Sequence, residues 1–190
     1  MTAWPAARLV PMVLVVLLIG MEIYASRVRR ADAKSRDGGS LIAIWGLIGA
    51  SYWVVFSLWS ARRPPSPLLG DWALWIGAAV ALAGIFLRVW SVATLGRYFT
   101  YVVKVTGDQP VIETGPYRLL RHPSYAGALL TAIGIGLSLR YALAPVILGV
   151  VQLVAYSIRM EVEERALAEG IGEPYRAYMQ RTKRIVPFVW

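Results

Sequence analysis

The chain has 190 residues, 57% of them hydrophobic and only 16% charged, with a mean hydropathy of +0.55. A soluble domain carries about 45–50% apolar residues, so this composition excludes an ordinary water-soluble globule and predicts a single integral membrane unit. Lys and Arg total 20 against 11 acidic residues, a net charge of +9, and they fall mostly between and after apolar runs, which argues for orientation control and anionic headgroups rather than nucleic acid.

The first apolar run, Leu9 to about Ala25, ends in a basic cluster at Arg27, Arg29, Arg30, Lys34 and Arg36. A cleaved leader would end in small residues, so this is a stop-transfer pattern. The second run, Leu41 to Ser60, is closed by Arg62-Arg63-Pro64-Pro65, where two prolines end helical continuation. The third runs from Asp71, an expected N-cap, to Leu95. It contains Arg88, which must snorkel, pair or face the protein interior.

Residues 96–121 are polar and broken by Gly107, Pro110, Gly115 and Pro116. The fourth run begins at Pro123, a favoured first helical residue, and ends near Leu139. After a turn at Arg140 the fifth covers Tyr141 to about Ile158. The charged tail from Arg159 reads as helical, interrupted at Gly170-Ile171-Gly172 and restarted by Pro174. The fold class expected is therefore an all-α integral membrane protein with five transmembrane helices. Residues 1–95 supply the first three; residues 96–190 supply a loop, a helical hairpin and a helical tail. Basic-residue bias puts the N-terminus outside and the tail in the cytoplasm, in a multi-pass inner (cytoplasmic) membrane protein. Gly127, Thr131, Gly134 and Ser138 recur at near-helical spacing and are expected to pack helix four closely on helix five.

With no cysteine and one histidine, disulfides, thiol catalysis and a multi-histidine metal site are excluded. The lone His122 starts helix four, whose N-terminus favours a bound carboxylate or phosphate; Tyr125 adds a phenol one turn in. The alternative is a histidine that merely caps the helix. An antiparallel hairpin brings these residues to Arg159 and Glu163, four apart and on one helix face. Arg159 suits a carboxylate, and Glu163 suits an ammonium or ribose hydroxyls. The alternative there is a surface ion pair, with Glu161, Glu164 and Arg165 equally available for pairing. The short extended stretch Gln109-Pro110-Val111-Ile112 can offer backbone groups to an adenine edge, flanked by Val111 and Ile112.

The run Gly115-Pro116-Tyr117, then Arg121-His122-Pro123-Ser124-Tyr125-Ala126-Gly127, resembles the GPY…RHPxYxG signature of the isoprenylcysteine carboxyl methyltransferase family. Arg159…Glu163-Glu164, followed by Gly172-Glu173-Pro174-Tyr175 and Tyr178, is similar to that family's second signature. The resemblance covers about residues 96–190. It implies a membrane methyltransferase that uses S-adenosyl-L-methionine and acts on a lipophilic or lipidated acceptor, best matched by the carboxylate of an isoprenylcysteine. By the same resemblance Gln109, Pro110, Val111, Ile112, Tyr117, His122, Pro123, Ser124 and Tyr125 surround the cofactor, Glu163 contacts it, and Arg159 faces the acceptor. A further cofactor contact of the family aligns near Val102, where the residue departs from the pattern. Three other readings stand beside it: phospholipid N-methylation, with Glu163 or Glu164 as base; an NADPH-dependent membrane reductase, with Arg97, Lys104, Arg118 and Arg121 as phosphate ligands; and a non-enzymatic scaffold or transporter.

Overall fold

A computed structural model describes residues 4–28, 38–61, 68–99 and 110–187. The Arg29–Arg36 part of the basic cluster, the Arg62–Pro65 stop, Val102, Lys104 and Gln109 lie outside these residues. Among the described residues, six α-helices follow in chain order: α1 (Trp4–Val28), α2 (Gly38–Ser60), α3 (Asp71–Leu95), α4 (Pro123–Ser138), α5 (Leu143–Gly170) and α6 (Glu173–Arg181). Short 3-10 turns cover Gly96–Tyr98 and Gly115–Arg118.

Stretches of α1, α2, α3 and α5 are long and apolar enough to cross a membrane. The fourth of the five expected spans, α4, has 16 residues. At 1.5 Å per residue it is about 24 Å long, short of the ~30 Å hydrocarbon core. Its length follows from its place. Eleven of its residues are buried, with α3 and α5 packed against it, so it is sheathed by protein rather than lipid. By contrast α5 runs 28 residues without a break at Ile158, about 42 Å, and its charged last turns project beyond the apolar core.

Cross-contacts fix the order of the helices. Glu22 meets Arg88, and Tyr52 meets Gln152, while Leu14, Ala81 and Leu148 share one core cluster. So α1, α3 and α5 run one way and α2 and α4 the other. The ends of α1, α3 and α5 and the starts of α2 and α4 gather at one end of the bundle.

The small-residue stripe of α4 faces α3, not α5 as its spacing alone led us to expect. A Cβ on Gly134 would lie 2.4 Å from the Ala81 nitrogen, and one on Gly127 would lie 2.6 Å from the Gly84 carbonyl. The reason is a matching stripe: Gly77, Ala81 and Gly84 on α3 are all buried, so two backbones approach with nothing between them. On the α5 side only Gly136 makes such an approach, against Pro145.

Asp71 is also placed differently. Gly70 is the N-cap of α3 and no side chain caps it. Asp71 is the first helical residue, and its carboxylate lies 2.7 Å from Arg140 at the α4–α5 turn. That turn needs a left-handed backbone at Arg140, φ 57°. Because the Asp71 side chain is 68% exposed, Asp71→Asn is expected to cost less than about 1 kcal/mol, read as a small loss of thermal stability in detergent that high salt abolishes.

Candidate active site

The site is assembled from the chain leading into α4, the emerging end of α5, and the tail. Gly115 opens the first of these in the left-handed region, φ 55°, pressed against Thr94 and Trp90 of α3, where a side chain has neither the backbone freedom nor the room. Pro116 and Tyr117 follow, both buried. The Tyr178 hydroxyl of α6 donates to the carbonyls of Tyr117 (2.7 Å) and Leu120 (3.1 Å). Burial pushes that phenol well up, so it remains a proton donor throughout the physiological range.

Leu119, Arg121 and His122 are stitched to the tail backbone. Lys183 N–H donates to Leu119 O, Arg121 N–H to Lys183 O, and His122 N–H to Arg184 O. The Arg121 guanidinium also donates to the carbonyls of Met179 and Thr182. His122 therefore enters α4 from a clamped backbone. It stands at the N-cap position, yet its side chain makes no capping bond, which removes the simple capping alternative. Its Nε2 lies 3.2 Å from Glu164 and its Nδ1 3.8 Å from Glu163.

Glu163 is the meeting point. Its Oε1 accepts from the Tyr125 hydroxyl at 2.7 Å and from Arg159 Nε at 2.9 Å. Arg159 is only 4% exposed, so this pair is not the surface pair that its i, i+4 spacing equally allowed. Rings extend the contact: His122 stacks on Tyr125 at 5.7 Å, and Tyr125 on Tyr156 at 4.8 Å. Tyr156 then donates to Gln152, and Gln152 to the hydroxyl of Tyr52. On the far side of Tyr156 lies a cavity of about 400 Å³, edged by Glu22, Trp45, Gly49, Tyr52 and Gln152.

The structure thus brings His122, Tyr125, Arg159 and Glu163 together, as the hairpin argument requires. It turns Ser124 elsewhere: both its Oγ and its carbonyl accept from Arg88 of α3. Pro123 is the buried first residue of α4, and Tyr117 sits beneath the tail. Pro110 is exposed, and Val111 and Ile112 are half-buried; among the described residues no hydrogen bond ties these three to the cluster.

Glu164 corrects the expectation most. Read from sequence as one of several residues available for surface pairing, it is 3% exposed. Its Oε1 accepts from Arg121 Nε at 2.8 Å, and its Oε2 accepts Arg184 Nη2 at 2.8 Å and Nε at 3.1 Å. Glu161 and Arg165 do form an exposed pair at 3.7 Å. The readable signal for Glu164 was a second acid beside Glu163, with Arg121 in one motif and Lys183-Arg184 in the tail.

Residues 75–169 match the profile of the isoprenylcysteine carboxyl methyltransferase family. The chain is 31% identical over 120 residues to protein-S-isoprenylcysteine O-methyltransferase B of Arabidopsis thaliana, covering 62% of this chain and 61% of that one. It is 33% identical over 116 residues to protein-S-isoprenylcysteine O-methyltransferase of Saccharomyces cerevisiae, covering 60% and 48%. Among solved structures it is similar to the eukaryotic intramembrane Ras methyltransferase, isoprenylcysteine carboxyl methyltransferase, with TM-score 0.60 and 27% identity, covering 76% of this chain and 52% of that one. The chain therefore spans less than two thirds of the length of these relatives.

Proposed function

The chain belongs to the isoprenylcysteine carboxyl methyltransferase family and is an integral membrane protein, and from that premise we propose that it transfers a methyl group from S-adenosyl-L-methionine to the carboxylate of an isoprenylcysteine-like acceptor. One observation carries the reading: Glu163 is held by Tyr125 and Arg159 together, where the apolar part of α5 gives way to its charged part.

The donor set fits the cofactor. Glu163 offers a carboxylate for an ammonium or for ribose hydroxyls, and the N-terminus of α4 favours an anionic group. Tyr156, which borders the cavity, adds an aromatic ring that suits a cation. His122, Tyr125 and Glu163 would hold this group, with Tyr117 and the 109–112 stretch completing its surroundings. When bound, it supplies a methyl on a sulfonium for in-line displacement.

Arg159 would orient the acceptor carboxylate as a planar donor array. A carboxylate is already a nucleophile, so the protein need only align the partners and exclude water. Both candidate bases are engaged, Glu163 by Tyr125 and Arg159, and Glu164 by Arg121, Arg184 and His122. This favours a carboxylate over an amine, which would have to surrender a proton. The apolar part of the acceptor would arrive from the bilayer past Tyr156, with the site on the cytoplasmic side to which the basic-residue bias assigns the tail.

The test is calorimetric titration of S-adenosylhomocysteine into detergent-solubilised protein, beside NADPH and with His122→Ala and Glu163→Ala as controls. Binding of the first compound alone, weakened in both variants, is expected; its absence overturns the reading. In assays with a prenylcysteine analogue and phosphatidylethanolamine, only the former is expected to be methylated. Arg159→Ala is expected to lower turnover about 100-fold while retaining cofactor binding, because Tyr125 still holds Glu163. Normal methylation by that variant removes Arg159 from its role.

A further inference from the structure

Arg88 lies within an apolar helix and is 3% exposed. A charge so placed is costly unless it is paired. Its two terminal nitrogens are used on different helices. Nη1 donates to Ser124 Oγ at 3.0 Å and to the Ser124 carbonyl at 3.2 Å. Nη2 lies 2.8 Å and 3.0 Å from the two carboxylate oxygens of Glu22 on α1. Gly127 lets α4 approach α3 closely at this level, since a Cβ there would lie 2.8 Å from the backbone nitrogen of Arg88 and 3.0 Å from its Cβ.

Ser124 sits between His122 and Tyr125, in the first turn of α4. The guanidinium therefore sets the depth and rotation of that turn, and Glu22 sets the guanidinium. Without the carboxylate, the buried guanidinium loses this counter-charge and must re-settle, carrying Ser124 with it through the Nη1 bonds. Glu22 lies outside both sequence signatures and outside the matched residues 75–169.

We propose that Glu22 is a positioning residue: through Arg88 and Ser124 it holds His122 and Tyr125 in their cofactor-binding arrangement. The proposal rests on the methyltransferase reading of the site.

The chain's single histidine gives the test a specific probe. Nitrogen-15 imidazole spectra of Glu22→Gln in detergent are expected to show the His122 resonances displaced or split. Its affinity for S-adenosylhomocysteine is expected to fall about tenfold, with thermal unfolding still one cooperative transition. Glu161→Gln, on the exposed side of α5, is the control and leaves both readouts at wild type. A purely structural Glu22 would move the unfolding temperature alone. A superimposable histidine signal with unchanged affinity overturns the proposal. Glu22→Asp keeps the charge but withdraws it by one methylene, and carries the same test if Glu22→Gln is not obtained folded; wild-type behaviour there overturns it too. Failure of the wild-type protein to bind S-adenosylhomocysteine is a different result, and it overturns the methyltransferase reading instead.

Discussion

Glu164→Ala is expected to cost the folded protein about 3–5 kcal/mol, seen as a large fall in unfolding temperature and rapid proteolysis of the tail. The carboxylate is nearly inaccessible and accepts from Arg121, Arg184 and the His122 ring. Removing it leaves two guanidinium groups converging on a buried space with no acid between them. The penalty comes from the stranded cations more than from the lost bonds. Asp71 is the contrast: it too pairs with an arginine at under 3 Å, but its side chain is 68% exposed and its loss is cheap. Wild-type stability in Glu164→Ala would show that the arginines find other acceptors, and the keystone role would fall.

Gly134→Ala is expected to be comparably damaging, at about 3 kcal/mol or more. The added carbon would sit 2.4 Å from the Ala81 nitrogen and 2.6 Å from the Gly77 carbonyl. Both are backbone atoms in a helix, with no rotamer to give way, so α3 and α4 must separate along their contact. Gly49→Ala, equally small and equally helical, meets nothing within 4 Å. It is expected to be neutral, or stabilising by up to about 1 kcal/mol through helix propensity alone. Thermal unfolding of the two variants in the same detergent checks the contrast; equal stabilities would refute the close-packed α3–α4 face.

How much of this could be read from residues alone varied with the kind of signal. The start of α4 at Pro123 and the break at Gly170–Gly172 were legible because breakers act locally, whereas the start of α3 was placed by an Asp71 cap that the structure does not make. The meeting of His122 and Tyr125 with Arg159 and Glu163 was legible because a short turn at Arg140 leaves two helices little choice but to lie antiparallel. The partner of the Gly127–Ser138 stripe was not. Spacing shows that a helix has a flat face but not which neighbour takes it, and only the second stripe at Gly77, Ala81 and Gly84 decides that. The burial of Glu164 among Arg121, Arg184 and His122 was equally hidden. Adjacent helical residues point about 100° apart, and in a charged segment no apolar face reveals the rotation. The stitching of residues 119–122 to 183–184 is backbone hydrogen bonding, which leaves no side-chain signature.

That stitching has a consequence for biogenesis. The strand-like grip on His122 comes from residues that leave the ribosome only after α5 and α6 have been made. During synthesis, α4 can enter the bilayer and find α3 while its histidine-bearing lead-in is still unclamped. Ligand-binding competence must therefore arise late, as a closing step after the bundle has formed.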